Sequence, residues 1–307
     1  MMRTIDLFAG VGGLRRGFER VGFETVFAND FEPSCKITYD QNYPDTPLLL
    51  GDIRDIDIES IPDYDFLLAG FPCQPFSVAG YRQGFEDEKG RGNLFFSIAK
   101  ILDETRPTGF LLENVKNLQG HDKGRTFKTI QHILEDELGY HIRYQVLNSM
   151  EYGNIPQNRE RIFIVGFADV EIAKRFEFPA KIPLTANFQD MLEKTVADEF
   201  YYMGKPLYDK IAPHITRKDT VYQYRRMYVR ENKRGVCPTL TANMGEGGHN
   251  VPIILDDKGI RKLTPRECAR LQGFDDDFIL PSELRNAKLY KQMGNSVTVS
   301  VVERIAE

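Results

Sequence analysis

Short apolar segments alternate with amphipathic segments over the first 165 residues, and this alternation constrains the fold more than any other feature. Strand-like runs occupy residues 4–8, 25–28, 66–70, 109–113 and 161–165. Helix-like stretches begin near residues 14, 34, 94 and 126. Apolar strands that alternate with helices are typical of a parallel sheet covered on both faces. The sequence therefore predicts an α/β fold, whose ligands bind beyond the carboxyl ends of the strands.

The composition changes after about residue 178, which predicts a second and smaller domain. Residues 205–235 hold nine Lys/Arg and three Asp/Glu, although the whole chain carries a net charge of −5. One compact basic segment can therefore contact phosphates in an otherwise acidic protein. A helix is predicted again from Thr264, because Thr264 and Glu267 form a capping box and Gly273 fits its end.

Cysteine usage and the N-terminus predict a cytoplasmic protein. The four cysteines form no Cys-x-x-Cys pair, which excludes a zinc ribbon and a thioredoxin motif, and no metal is expected. No apolar run approaches the ~18 residues of a membrane helix, and the first residues do not form a signal peptide. Three of the cysteines are predicted to be small buried side chains; they are Cys35, Cys237 and Cys268.

A glycine turn follows the first predicted strand at residues 8–13. Glycines at this place let a ligand approach the backbone, but the third glycine of the dinucleotide motif would fall on Arg15. Asp30 and Asp52 each follow a later strand, where a carboxylate can bind ribose hydroxyls or an amino group. The pattern predicts a nucleoside-type ligand without a diphosphate. The alternative is a tight turn with two solvated acids.

A rigid cysteine loop follows the strand at residues 66–70. Pro72 and Pro75 bracket Cys73, so this thiol is the candidate nucleophile. The stretch from residue 79 to residue 93, with four glycines, predicts a mobile lid or a plain surface loop.

Glu113 ends a wholly apolar strand, where burial raises the pKa of a carboxyl group. Such a group can donate to a heterocycle nitrogen, or it can form a salt bridge with an arginine. Arg159 and Arg161 are two residues apart, so the strand period predicts that both point to one face. They are candidates to hold a substrate or to fix Glu113.

These segments match one family as an ordered set. The motifs are FAGVGG at Phe8, GFPCQPFS around Cys73, RGNLFF at Arg91, ENV at Glu113, QNRERI at Gln157, RKLTPRECARLQGF at Arg261 and QMGNSV at Gln292. In this order they resemble the bacterial cytosine carbon-5 DNA methyltransferases of restriction–modification systems. The resemblance spans residues 4 to 302.

The resemblance implies a Rossmann-like methyltransferase fold with S-adenosylmethionine as the cofactor. It implies that Cys73 adds to carbon 6 of a flipped cytosine, that Glu113 assists at ring N3, and that Arg159 and Arg161 orient the base. The implied cofactor contacts lie at the glycine turn, at strand ends and in the last motif: Phe8, Gly10, Gly12, Gly13, Asp30, Phe31, Asp52, Ile53, Pro72, Leu94, Asn295 and Val297.

The resemblance also divides the chain by function. Residues 1–177 would form the catalytic and cofactor-binding domain, residues 178–260 the target-recognition domain, and residues 261–307 would return to the catalytic domain and hinge. The implied DNA contacts lie on the cysteine loop and in the recognition domain: Gln74, Ser77, Arg225, Arg226, Tyr228, Arg230, Thr239 and Leu240. Residues 236–252 are similar to those of members that methylate GG(N)CC-type sites.

The implied partners are double-stranded DNA and a cognate restriction endonuclease that acts on the same site, and the enzyme is expected to be a monomer. Many members continue beyond the point where this chain ends, which suggests a short or truncated C-terminus. Three alternatives remain. They are an RNA cytosine methyltransferase, a nicotinamide-dependent oxidoreductase, which Arg15 disfavours, and a non-catalytic DNA-binding relative, which Cys73 and Glu113 disfavour.

Overall fold

A computed structural model describes residues 1–72, 94–232, 234–245 and 250–307. These residues form two compact units. The first unit comprises Met1–Leu147, Glu160–Pro179 and Val302–Glu307. The second comprises Asn148–Arg159 and Ala180–Val301.

One sheet organises the described part of the first unit. Its strands are β1 (Arg3–Leu7), β2 (Glu24–Asp30), β3 (Leu49–Leu50), β4 (Phe66–Gly70), β5 (Gly109–Val115), β6 (His141–Asn148) and β8 (Glu160–Phe167). The strand order is β3-β2-β1-β4-β5-β8-β6. The first five strands in this order pair in parallel, whereas β8 runs antiparallel to β5. The predicted α/β fold with a mostly parallel sheet is therefore confirmed.

Helices connect and cover these strands. They are α1 (Gly13–Arg20), α2 (Pro33–Asn42), α3 (Leu94–Thr105), α4 (Arg125–His132) and α6 (Val170–Arg175). Strands β4 and β5 are almost continuously apolar because they lie in the middle of the sheet, where both faces are buried. Leu67 and Leu112 pack with Phe95 and Ile98 of α3 in the main hydrophobic core.

The sequence prediction found the buried strands and missed the edge strand β6. This strand has exposed or half-buried residues at five of its eight positions. The prediction therefore lacked the apolar run on which it relied.

The end of the chain packs on the first unit. Helix α10 (Val299–Ala306) begins in the second unit and ends in the first. A Cβ built on Gly17 of α1 would lie 2.6 Å from Val302, so glycine is needed for this close approach. Arg20 forms a 3.0 Å ion pair with Glu303.

The unit limits do not coincide with the predicted domain limits. Only residues 302–307 of the predicted returning segment belong to the first unit, and residues 261–301 belong to the second. Compact units describe packing, whereas the predicted domains describe function, so the limits of the target-recognition domain stay a prediction.

The second unit contains a small sheet in the order β10-β9-β12-β13. Its strands are β9 (Val221–Tyr224), β10 (Val229–Asn232), β12 (Ile253–Leu255) and β13 (Ile260–Lys262). A two-stranded parallel sheet joins β7 (Gln157–Asn158) to β11 (Cys237–Pro238). The helices of this unit are α5 (Ser149–Tyr152), α7 (Tyr208–Ile211), α8 (Pro265–Arg270) and α9 (Asn286–Asn295).

The predicted helix start at Thr264 is confirmed. The Thr264 hydroxyl accepts from the Glu267 backbone at 3.1 Å, and the Glu267 carboxylate accepts from the Thr264 backbone at 2.8 Å. Gly273 follows the helix with φ +77°, a left-handed conformation that favours glycine. Among the described helices of both units, none is long and apolar enough to cross a membrane.

Candidate active site

The turn between β1 and α1 is built around glycines in left-handed conformations. Gly10 has φ +55° and Gly12 has φ +81°. A Cβ on Gly12 would come 2.4 Å from the ring of Tyr43, while a Cβ on Gly10 would meet nothing within 4 Å. The turn is therefore closed on the side of Tyr43 and open beside Gly10, where a ligand can approach.

Phe8 adopts a left-handed conformation at the start of the same turn, with φ +54°. This conformation is uncommon for a bulky side chain, and such strain concentrates at functional sites. The ring packs partly against the main core and also lines a cavity. The strained backbone therefore presents an aromatic face at the carboxyl end of β1.

One cavity of about 200 Å³ in the first unit collects half of the predicted cofactor residues. The predicted residues that line it are Phe8, Asp30, Phe31, Asp52, Ile53 and Leu94. They come from the ends of three different strands and from the start of α3, as expected for a ligand site on a parallel sheet. Their role in cofactor binding stays a prediction.

Asp30 ties this cavity to the glycine turn. Its carboxylate accepts hydrogen bonds from the backbone of Gly10 and the backbone of Glu32, both at 2.8 Å. Burial raises the pKa of Asp30, against the effect of these backbone donors. The carboxylate is thus fixed in position, and each of its oxygens keeps a lone pair for a ligand hydroxyl.

Phe31 and Asp52 complete the polar and apolar sides of the cavity. Phe31 is 66% exposed, which is unusual for a large aromatic side chain without a partner surface. Asp52 accepts from the backbone and the Nε of Arg54, at 3.0 and 2.8 Å. Its hydrogen bond with the Arg54 side chain lowers the pKa of Asp52 to about 2, so this group is ionised at neutral pH.

Arg15 occupies the position that a dinucleotide motif gives to its third glycine, and it is buried there. Its guanidinium lies 4.2 Å from the centre of the Tyr43 ring. It also donates to Tyr39 at 3.1 Å and to Glu19 at 2.7 Å. A buried arginine with these partners leaves no room for the close approach that a third glycine permits.

The other predicted cofactor residues stand apart from this cavity. Gly13 begins α1, and Pro72 is exposed at the last described position before the cysteine loop. The Asn114 amide donates to the Phe71 carbonyl at 2.9 Å and so anchors the chain just before Pro72. Asn295 and Val297 belong to the second unit, and their contact with a cofactor stays a prediction.

Two positioning residues near the cavity were missed by sequence reasoning. Asn29 donates to the carbonyls of Leu49 and Gly51, both at 3.0 Å, and so holds the loop that carries Asp52. The Tyr43 hydroxyl donates to the Gly12 carbonyl at 3.1 Å. No local signal predicts these contacts, because the partners are 20 or more residues apart in the chain.

Glu113 and Arg161 form an ion pair in the first unit. The Nε of Arg161 lies 3.1 Å from Oε1 of Glu113, and the two side chains are 17% and 10% exposed. Glu113 is paired in register with Gly70 of β4, three residues before Cys73. The salt-bridge alternative for Glu113 is therefore realised, and the pair lies at the carboxyl end of β5.

Arg159 has different partners, which include three carbonyls of the second unit. Its guanidinium donates to the carbonyls of Leu240 at 2.8 Å, Gly294 at 3.2 Å and Ser296 at 2.5 Å. The expectation that Arg159 and Arg161 share one strand face is wrong. The strand is interrupted at Arg159, between β7 and β8, so the period of two does not apply there.

Three predicted residues lie outside the described part of the chain: Cys73, Gln74 and Ser77. The predicted lid at residues 79–93 lies outside it as well. The remaining cysteines are free and buried, as predicted. Burial raises the pKa of the Cys237 and Cys268 thiols, which disfavours their reactive thiolate forms.

The predicted DNA contacts divide into exposed and buried groups. The exposed group lies on the β9–β10 hairpin: Arg225, Arg226, Tyr228 and Arg230. Thr239 is half-buried and donates to the Asn158 carbonyl at 2.7 Å. Leu240 is fully buried, and its N–H donates to the Gln157 side chain at 2.9 Å. Its side chain therefore packs inside the second unit, and a DNA contact by this residue stays a prediction.

Comparison with known proteins identifies the family. Residues 2–307 match the model of the C-5 cytosine-specific DNA methylases. The chain belongs to this family. The Type II methyltransferase M.Bsp6I of Bacillus sp. (strain RFL6) is 55% identical over 312 residues, which cover all of this chain and 98% of the relative. The Type II methyltransferase M.DsaV of Dactylococcopsis salina is 43% identical and covers all of this chain and 85% of its own length. The protein is thus a cytosine-5 DNA methyltransferase of the Type II class.

Solved structures share the fold at low identity. A DNMT2 mutant of Spodoptera frugiperda has a TM-score of 0.75 at 20% identity and covers 99% of this chain and 98% of its own. A putative DNA modification methyltransferase encoded within an E. coli prophage has a TM-score of 0.70 at 21% identity, covering 100% and 97%. At this identity the likeness supports the fold and does not distinguish among substrates.

Proposed function

We propose that this enzyme methylates carbon 5 of a cytosine flipped out of duplex DNA, with S-adenosylmethionine as the methyl donor and Cys73 as the nucleophile. The observation that carries the proposal is the Glu113–Arg161 pair at the end of β5, in register with Gly70 of β4. Cys73 follows Gly70 by three residues in the sequence. The chemistry needs a nucleophile and a positioned carboxyl group; β5 supplies the carboxyl group, and the sequence brings Cys73 three residues after the neighbouring strand β4.

The cavity in the first unit fits the nucleoside part of the cofactor. Asp30 is buried, fixed by two backbone donors and able to accept from ribose hydroxyls. Phe31 offers an exposed aromatic face, and Asp52 is an ionised acceptor for an amino group. The open space beside Gly10 suits the methionine part. When bound, the cofactor supplies an electrophilic methyl group on a sulfonium ion.

The residues of this chain prepare the cytosine, whose carbon 5 is a poor nucleophile. The Cys73 thiolate forms a bond from Sγ to carbon 6, and electron density moves to carbon 5. The protonated carboxyl group of Glu113 donates a hydrogen bond or its proton to ring N3 as that density develops, and it takes the proton back when the ring is restored, while Arg161 holds the carboxyl group in place. After methylation a base removes the proton from carbon 5. The Sγ–carbon 6 bond then breaks and the 5,6 double bond returns.

Arg159 is assigned a positioning role. Its guanidinium already binds three backbone carbonyls, including those on both sides of Asn295. These hydrogen bonds fix the loop of the last motif and the Thr239–Leu240 segment. We propose that Arg159 positions these two loops for contact with the cofactor and with DNA.

We further propose duplex DNA as the substrate and a restriction endonuclease with the same site as the functional partner. The Type II methyltransferases among the relatives support this setting. Residues 178–260 would read the target sequence with their basic and aromatic side chains. We expect a monomer that acts in the cytoplasm.

Transfer of labelled methyl from S-adenosylmethionine to unmethylated duplex DNA tests the proposal. We expect label on cytosine for the wild type, no label for Cys73→Ser, and retained cofactor binding by calorimetry in that variant. Cys35→Ser is the matched control, because Cys35 is the least buried of the other cysteines, at 8% exposure. Bisulfite sequencing would then name the site.

Two outcomes contradict the proposal. Label on tRNA and none on DNA would support the proposed methyl transfer but show that the substrate is RNA. Full activity of Cys73→Ser would exclude covalent catalysis by this thiol.

A further inference from the structure

The tip of the β9–β10 hairpin, residues 225–228, presents an apolar side chain to solvent. Met227 is 91% exposed, more than any other large hydrophobic side chain in the described ranges. Tyr228 beside it is 59% exposed. Isolated exposed apolar residues are ordinary, but a methionine side chain that is almost wholly exposed at the end of a hairpin calls for a physical reason.

Three hydrogen bonds and one strained backbone position define the tip. The Arg225 N–H donates to the Tyr228 carbonyl at 2.8 Å, and the Met227 N–H donates to the Arg225 carbonyl at 2.7 Å. The Tyr224 hydroxyl donates to the Arg226 carbonyl at 2.7 Å. Arg226 has φ +60°, a left-handed conformation that is unfavourable for a long side chain. The hairpin therefore accepts conformational strain at Arg226, next to Met227 at its apex.

The charges around the tip favour a polyanion as the partner. Among the described residues, no carboxylate pairs with Arg225, Arg226 or Arg230. Elsewhere in the same basic segment, Arg217 is already paired with Asp219 at 2.7 Å. Arg225 donates to the neutral Gln223 side chain at 3.2 Å, which leaves its charge uncompensated. The hairpin thus keeps its positive charges available to an anion, with one apolar group between them.

We propose that Met227 is a specificity-determining residue that makes an apolar contact with base edges in a groove of the target duplex, while Arg225 and Arg226 bind the flanking phosphates. The inference rests on the proposed function, because it takes duplex DNA as the substrate. In a groove the bases present their edges, on which the thymine methyl group is the main apolar feature, and arginines bind the phosphates at the rim. Methionine adapts to such surfaces because its side chain is unbranched and polarizable.

The test compares substitutions at the tip with a matched control. The kcat/KM is measured for the wild type, Met227→Ala, Met227→Leu and Met203→Ala on the bisulfite-defined site. It is also measured on duplexes in which each base pair in and beside the site is replaced. Met203 is an exposed methionine of the same unit outside the hairpin, at 67% exposure.

We expect Met227→Ala to lose about 10-fold in discrimination at one or two adjacent positions, as for loss of a base contact. Met227→Leu should keep most of it, and Met203→Ala should equal the wild type. Arg226→Gln should instead weaken binding to all sequences alike and reduce the salt slope of binding by about one.

If Met227→Ala discriminates between base pairs as the wild type does, within twofold at every position, the inference is overturned. The exposed tip would then bind something other than the target DNA. The wild type separates this failure from failure of the proposed function. If the wild type methylates a DNA site while the Met227 variants match it, only the inference fails. If the wild type methylates tRNA and no duplex, the proposed function fails and the inference falls with it.

Discussion

Asp6 is a buried carboxyl group that no side chain of the described residues hydrogen-bonds, and it yields a quantitative prediction. It lies on β1, two residues before Phe8, and its side chain is fully buried. Neither of its oxygens completes a hydrogen bond with the described residues. Burial raises the pKa of Asp6 to about 8 from its ordinary value of 3.8, against the opposing attraction of Arg15. The native protein therefore keeps Asp6 protonated at neutral pH.

The sign of the stability effect follows from proton binding. Between about pH 4 and pH 8 the native state holds a proton that the unfolded chain has released. The free energy of unfolding therefore falls by about 1.4 kcal/mol for each pH unit in this range. The loss reaches roughly 4 kcal/mol at pH 7 and is complete above the native pKa of about 8. Asp6→Asn removes the titrating group. The variant should therefore be no more stable than the wild type near pH 4 for this reason, and its advantage in the free energy of unfolding should grow by about 1.4 kcal/mol per pH unit up to about pH 8.

Urea unfolding at pH 4.5, 6, 7 and 8.5 measures the slope. The chain has no tryptophan, so the transition is followed by far-ultraviolet circular dichroism. Asp63→Asn is the control, because it makes the same substitution at an exposed carboxyl group, where burial does not act. A stabilisation of Asp6→Asn that does not change with pH would refute the reasoning. So would an equal gain in Asp63→Asn.

Three further predictions concern the candidate site. Glu113→Gln should lower kcat about 10²- to 10⁴-fold in single-turnover methyl transfer while cofactor affinity persists, and unchanged kcat would exclude its role at N3. Arg159→Met should lower the free energy of unfolding by about 3 kcal/mol or more, because three carbonyls lose their charged donor; Arg159→Lys should retain part of it in the same urea titration. Asp30→Ala should weaken S-adenosylhomocysteine binding at least 10-fold by calorimetry with little change in DNA affinity, since the ribose acceptor is lost.

The fold was predictable where hydrophobic patterning decides it. Strands β4 and β5 are buried on both faces, so apolar residues fill most of each strand. Strand β1 is buried as well, but it carries Thr4 and Asp6 beside its apolar residues. The Thr264 capping box was predictable because it is a contact between near neighbours. The edge strand β6 and the grouping of residues 261–301 with the second unit were not, because both depend on contacts distant in sequence.

The sequence predicted at which strand ends the residues of the candidate site lie, but it predicted few of the contacts between them. Half of the predicted cofactor residues line one cavity because parallel strands end at the same edge of the sheet. Asn29 and Tyr43, which hold the loops of that cavity, escaped prediction because asparagine and tyrosine at those positions carry no local pattern. The burial of Leu240 also escaped prediction, because a motif position does not reveal whether a side chain points inward.

The two arginines of the QNRERI motif show how chain geometry divides tasks between similar residues. Arg161 lies within β8, where its side chain reaches a carboxylate on the neighbouring strand β5. Arg159 lies at the break before β8, so its guanidinium is free of the strand period and serves three carbonyls of the second unit. An arginine that contacts a carboxylate through Nε can add a hydrogen bond to a substrate oxygen without giving up that partner, because a guanidinium has five N–H donors. An arginine that satisfies three buried carbonyls cannot leave them without leaving each unpaired. Arg161 is therefore the better candidate for contact with the base, and Arg159 for holding the loops around it.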